Sequence, residues 1–137
     1  MMVARQQRTE ERVGSDRKGA PNGAGFDFAI FRRALETQDL EAWLDCFADH
    51  AQWIEFRHDA PSGAPTRIVG KSEIAAFLRR VKASNVRLTI RYEIVASDGC
   101  AFSVLREMPD GRRLLEHSIV HIADGKIVRQ VDLDAWD

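Results

Sequence analysis

VRLTIRYEIVASDGCAFSVLREMPDGRRLLEHSIVHIADGKIVRQVDLD, running from Val86 to Asp134, carries the strongest structural signal in the chain. Asp-Gly pairs punctuate it at Asp98-Gly99, Asp110-Gly111 and Asp124-Gly125. Between them lie runs rich in Val, Ile, Leu and Phe, the composition of β-strands. The reading is four strands, over 86–96, 100–108, 112–123 and 126 to about 134. Each Asp-Gly pair is expected to supply the positive φ angles of a tight hairpin, so the four strands form an antiparallel meander.

Upstream of the meander the period changes. After Gly70, the residues Ile74, Phe77, Leu78 and Val81 fall on one helical face, while Arg79, Arg80 and Lys82 fall on the other, a solvated face. Ala51-Gln52-Trp53-Ile54-Glu55-Phe56 reads as a strand, 58–66 as a loop broken by Pro61, Gly63 and Pro65, and Arg67–Val69 as a short strand. Phe26, Ile30, Phe31 and Leu35 recur at helical spacing, giving a helix over 26–37. Leu40, Trp43, Leu44 and Phe47 give a second over 39–47, and the Asp39 carboxylate can accept from the free N–H groups of its first turn. Three helices followed by a meander make an α+β domain. Residues 1–25 are polar, charged and rich in Gly, and cannot bury enough surface to offset their ordering entropy. They are expected to form a flexible tail to a domain over 26–137.

The 137 residues suit one domain, and 45% hydrophobic content supplies a core without metal or disulfide staples. A formal net charge of −1 provides no broad basic surface for nucleic acid or anionic lipid. No apolar run reaches the roughly 18 residues of a membrane span, and the first residues lack the apolar stretch of a signal peptide. Cys46 and Cys100 sit in no metal or redox spacing, so both read as free thiols in a reducing cytoplasm.

Three ordered stretches resemble a known family. They are Gln38-Asp39-Leu40-Glu41-Ala42 leading to Phe47-Ala48-Asp49-His50-Ala51; Gly70-Lys71-Ser72-Glu73-Ile74-Ala75-Ala76-Phe77; and Asp124-Gly125-Lys126-Ile127 followed by Asp132. Together they are similar to the SnoaL-like, nuclear-transport-factor-2-like group, which includes polyketide cyclases, ketosteroid isomerase and limonene epoxide hydrolase. The resemblance implies a cone: a curved, mainly antiparallel sheet wrapped by three helices around a pocket for a small apolar molecule. It also implies a homodimer through the outer sheet face; no cofactor is expected. It does not select a reaction.

Matching each chemistry residue by residue narrows the field. For a ketosteroid isomerase, the carboxylate base falls at Glu55, the tyrosine donor at Phe31, which has no hydroxyl, and the aspartic acid donor at Ser118. Oxyanion donors are worth roughly 3–4 kcal/mol each, so steroid-type isomerisation is disfavoured. The Asp–Arg–Asp set of the epoxide hydrolase falls at Ala101, Ser103 and Asp132, with its water-holding tyrosine and asparagine at Trp53 and Glu55. Only Asp132 survives. A SnoaL-type cyclase needs one aspartate as general acid/base, and Asp132 lies in the matching part of the last strand.

Alternate residues of a strand share a face. If Glu55 faces the pocket, so do Ala51 and Trp53; if Asp132 does, so do Val128, Gln130 and Asp134. The 112–123 strand is ambiguous, with Leu114, Glu116, Ser118, Val120 and Ile122 on one face and Leu115, His117, Ile119 and His121 on the other. The resemblance turns the first set inward. The catalytic candidates are therefore Asp132 and Glu55. The ligand-binding candidates are Trp53, Phe31, Ser103, Leu105, Glu116, Ser118, Gln130 and Asp134. Carboxylates crowded in an apolar cavity should raise at least one pKa. An inward Arg106 or an outward Glu116 would undo that expectation. Trp53 can instead be core, Glu55 can pair with Arg57, Arg67 or Arg91, and Asp132 can be a hydrogen-bonded strand-end carboxylate. His117 and His121 stand about 13 Å apart along a strand, too far to chelate one ion; no metal site is expected. Three functions remain open: a cofactor-free acid/base enzyme, a non-catalytic binding module, and a dimerisation domain with a filled pocket.

Overall fold

The computed structural model describes residues 25–57, 59 and 63–136. Apart from Gly25, the tail expected at 1–25 lies outside them, as do residues 58 and 60–62 of the loop expected over 58–66. Helix α1 spans Phe28–Thr37, α2 Leu40–Asp45 and α3 Lys71–Ala83. The strands are β1 (Phe47–Phe56), β2 (Thr66–Val69), β3 (Arg87–Ala96), β4 (Gly99–Glu107), β5 (Arg113–Ala123) and β6 (Lys126–Trp136). One six-stranded sheet runs in the order β2-β1-β6-β5-β4-β3. All its pairings are antiparallel except β1 with β6. The α+β class and the mainly antiparallel curved sheet agree with the sequence reading.

Local chemistry sets the boundaries. Asp27 caps α1 by accepting from the Ala29 and Ile30 N–H groups, and Asp39 caps α2 by accepting from Ala42. Strand β1 begins at Phe47, four residues before the predicted start, because tertiary pairing overrides the poor strand propensity of Asp49 and His50. Phe47 pairs with Ile127 of β6, and the register then shifts before Gln52. All three helices lie on the concave face. Phe31, Leu35, Trp43, Ile74 and Leu78 bury themselves there against Phe47, Trp53, Leu88, Phe102 and Val104 of the sheet.

The three Asp-Gly pairs do not behave alike. Only Asp124-Gly125 has positive φ at both positions, 52° and 75°. In the β4–β5 connection Gly111 alone is positive, at 93°. In the β3–β4 connection neither Asp98 nor Gly99 is, since Ser97 and Asp98 form the turn and Gly99 is already the first residue of β4. Gly99 is needed for a different reason: a Cβ there would lie 2.6 Å from the Val120 carbonyl oxygen. Gly99→Ala must therefore push β4 from β5 and is expected to cost about 2 kcal/mol, within the range of overpacking strain. A urea midpoint equal to that of the parent would contradict this.

Candidate active site

Three neighbouring strands set out a row of polar side chains on the concave face. The β1–β6 register places Glu55 beside Asp132 and Trp53 beside Gln130. The β5–β6 register places Ser118 beside Asp132 and Glu116 beside Asp134. Directly paired residues on one face hold their Cβ atoms about 4.5–5.5 Å apart, so the side chains meet. The carboxylate oxygens of Glu55, Glu116 and Asp132 come within 4.8 Å of one another.

Asp132 is the fixed member of this row. It is 2% exposed. Its Oδ2 accepts from Trp53 Nε1 at 2.8 Å, and its Oδ1 accepts from Ser118 Oγ at 2.8 Å and from Gln130 Nε2 at 3.1 Å. Burial raises its pKa to about 6, against the lowering effect of Ser118, Gln130 and Trp53. Glu55 is pushed up further, to about 7, first by burial and then by the nearby charges of Asp132 and Asp134. Arg57 does not neutralise it directly, because that guanidinium pairs with Asp59 at 2.9 Å. Glu116 is raised well above the usual carboxylate range, again first by burial, then by Asp132.

Arg106 points inward, and its Nη1 meets Glu116 Oε2 at 3.2 Å. The sequence reading held that an inward Arg106 would cancel the upward shifts. It lowers them, but burial outweighs it at both Glu55 and Glu116. One guanidinium is shared between Glu55 and Glu116, while desolvation acts on each of them separately.

Leu35 of α1, Trp43 of α2 and Phe77 and Val81 of α3 roof this row over a hollow of about 30 Å³ that is partly open to solvent. The space itself takes about two waters, so a larger molecule must extend through the open side. Phe77 packs edge-on against Trp53 at 4.9 Å, and Phe47 stacks behind Trp53 at 5.6 Å, so the floor of the hollow is rigid. Glu55, Glu116 and Asp132 are the described cluster able to hold a metal ion. Both Asp132 oxygens already accept hydrogen bonds and Arg106 already supplies positive charge, so a cation would have to displace these partners.

Six candidates from the sequence line the hollow: Glu55, Trp53, Glu116, Ser118, Gln130 and Asp132. The inward parity of β5 implied by the resemblance is the one found, with Glu116, Ser118 and Val120 buried and His117, Ile119 and His121 exposed. Asp134 stands one position beyond the wall, opposite Glu116. Phe31 is fully buried but packs into a cluster with Phe26, Phe28 and Phe102 rather than lining the space. Ser103 and Leu105 are corrected. The inward residues of β4 are Val104 and Arg106, and Ser103 bonds outward to His117 Nδ1 at 2.9 Å. Strand β4 is apolar on both faces, so its period gave no sign of which side was which. Trp43 and Arg106 were also missed as site residues. Trp43 read as ordinary helix core, and the length of an arginine hides its direction.

A SnoaL-like domain model matches residues 29–130. The chain belongs to the SnoaL-like family. Solved structures with the same fold include a nuclear-transport-factor-2-like protein of unknown function from Mesorhizobium loti, with a TM-score of 0.70 at 16% identity, covering 79% of this chain and 87% of that one. A Kribbella flavida protein provisionally assigned to the ketosteroid isomerases matches at 0.67 and 17% identity, over 80% of this chain and 76% of its own. TerC, co-crystallised with polyporic acid, matches at 0.60 and 21% identity, over 80% and 88%. Comparison with curated proteins finds no significant match. At these identities the solved structures establish the fold. Cys46 and Cys100 are both free, and among the described residues no helix is long and apolar enough to cross a membrane.

Proposed function

We propose that the hollow is a cofactor-free acid/base site that moves a proton on a small carbonyl-bearing molecule, in the manner of a cyclase or isomerase. The observation that carries this is Glu55: a buried carboxyl on the wall of the hollow with a pKa near 7. A proton carrier works best when its pKa lies near the operating pH. Asp132 has a separate role. Three donors hold it in place, and its charge helps to keep Glu55 proton-hungry. Ionised Glu55 takes a proton from the carbon beside the carbonyl and returns it elsewhere on the substrate, while Trp53 and Phe77 pack on the apolar part. The ligand is thus apolar at one end and polar at the other. We also propose a homodimer through the outer sheet face, where Ile119 and Leu133 are about half exposed, and a cytoplasmic location consistent with free thiols.

Exchange of the α-protons of 2-butanone in D₂O, followed by proton NMR, tests the catalytic reading without a known substrate. The chain should accelerate exchange over buffer, with a rate that rises through a midpoint near pH 7 as Glu55 ionises. No acceleration, or a rate flat with pH, sinks it. The small volume of the hollow favours one other reading, a dimerisation domain with a filled pocket. Neither exchange nor ligand binding would select that reading, and ligand bound tightly with no exchange would select a binding module without chemistry.

A further inference from the structure

Three buried polar atoms have no hydrogen-bond partner among the described residues and belong to side chains that line this one hollow: Trp43 Nε1, Arg106 Nε and Gln130 Oε1. Trp43 and Gln130 are each only 2% exposed. Stranded polar groups of this kind are rare in folded proteins because each forfeits its bonds to water. Three round a single space mark it as shaped for something that satisfies them.

Their chemistry is fixed whatever the pH. An indole N–H and a guanidinium N–H can only donate, and an amide oxygen can only accept. The Gln130 amide cannot be turned round, because its nitrogen donates to Asp132 and an oxygen there would face a carboxylate. The hollow therefore offers two donors and one acceptor beside the acids. A hydrocarbon leaves all three unmet. A simple ketone leaves Gln130 unmet. A carboxylate meets repulsion from Glu55 and Asp132.

We infer that the ligand is a small hydroxycarbonyl compound, its carbonyl oxygen accepting from Trp43 and Arg106 and its hydroxyl donating to Gln130. This rests on the hollow being a ligand site, as proposed above, but not on any proton being transferred there. It makes Trp43, on α2 and apart from the strands that carry the carboxylates, the group that anchors the carbonyl oxygen.

Hydroxyacetone and 2-butanone test the assignment, since they match in size and differ by a hydroxyl in place of a methyl. Each is titrated into ¹⁵N-labelled full-length chain, with the Trp43 indole resonance assigned through Trp43→Phe. Hydroxyacetone should bind about tenfold more tightly than 2-butanone, as one met polar group implies, and should move the Trp43 indole N–H downfield. Trp43 is also a core side chain, so Trp43→Phe is expected to lower the urea midpoint. Under conditions where the variant is folded by its NMR spectrum it should still weaken both ligands about tenfold, whereas a merely structural tryptophan would leave the affinities of the folded variant unchanged. Gln130→Met should bring the two ligands to near parity. Equal binding by the parent chain, or a Trp43 resonance that stays still while the Trp53 indole moves, overturns the inference and leaves the proton-transfer reading standing. If no resonance around the hollow responds to either compound, the space holds structural water only, and the inference falls together with the ligand site it rests on.

Discussion

Glu55→Gln is expected to lose α-proton exchange by a factor of about 10²–10⁴, the usual contribution of a positioned acid/base group, and at the same time to become more stable at pH 8. The second effect follows from the raised pKa. In the unfolded chain this carboxyl titrates at its ordinary value of 4.5; in the fold it is pushed up to about 7. Below the lower value both states hold the proton and Glu55 contributes no pH-dependent difference. Between the two the unfolded chain releases its proton and the folded chain keeps it, so the unfolded state binds fewer protons and stability falls as pH rises. Above pH 7 the loss is complete, at about 3 kcal/mol. Glutamine keeps the size and cannot ionise. Urea midpoints of parent and variant should therefore agree near pH 4 and separate steadily to pH 8, with the variant ahead. Equal midpoints at pH 8 would mean that Glu55 reaches bulk water, and the proton-carrier role would go with it.

Asp132 shifts in the same direction but does not repeat this behaviour. Its two oxygens satisfy Trp53, Ser118 and Gln130, so an asparagine there turns an N–H₂ toward at least one donor. The contrast separates the two acids: one is a mobile charge that the fold tolerates, the other a fixed charge that organises its neighbours.

The architecture was legible because period and punctuation agree along most of the chain. The meander, the order of the helices and the Asp39 cap all follow from local signals that tertiary contacts reinforce. The site was legible where strands alternate. Glu55, Trp53, Asp132 and Gln130 share a face by parity, while the inward face of β5 needed the family resemblance to choose it. It was not legible on β4, where Phe102, Ser103 and Val104 are buried in succession and either face could be the inner one. That single ambiguity exchanged Ser103 and Leu105 for Val104 and Arg106. The roof was hidden for another reason. Trp43 and Phe77 look like any apolar helix face, and only the stranded indole N–H sets Trp43 apart.

Arg106, the residue hidden by that ambiguity, carries the largest expected stability effect. It is the cation lining a hollow that also collects Glu55, Glu116 and Asp132, with Asp134 adjoining. Its side chain is 20% exposed and that of its partner Glu116 is 8%, so the pair sits in a medium that screens poorly. Removing one member of a buried pair leaves the other charge uncompensated, typically a loss of about 3–5 kcal/mol. Arg106→Met keeps most of the aliphatic stem and removes the charge, so at pH 8 it should lose about that much. The loss must depend on pH. Without Arg106 the pKa values of Glu116 and Glu55 rise further, because it is a lowering influence on both. Their folded forms then hold protons more tightly than the unfolded chain over a wider range, and stability falls more steeply above pH 4.5 than in the parent. Near pH 4 the acids are protonated in both states, and the variant should approach the parent to within the small loss of packing. Adding Glu116→Gln removes the acid left without its partner and should recover much of the deficit at pH 8, a coupling that a double-mutant cycle measures directly. A deficit that is the same at pH 4 and pH 8, and indifferent to Glu116→Gln, would show that Arg106 acts through its shape, and the electrostatic account of the hollow would fail at its central pair.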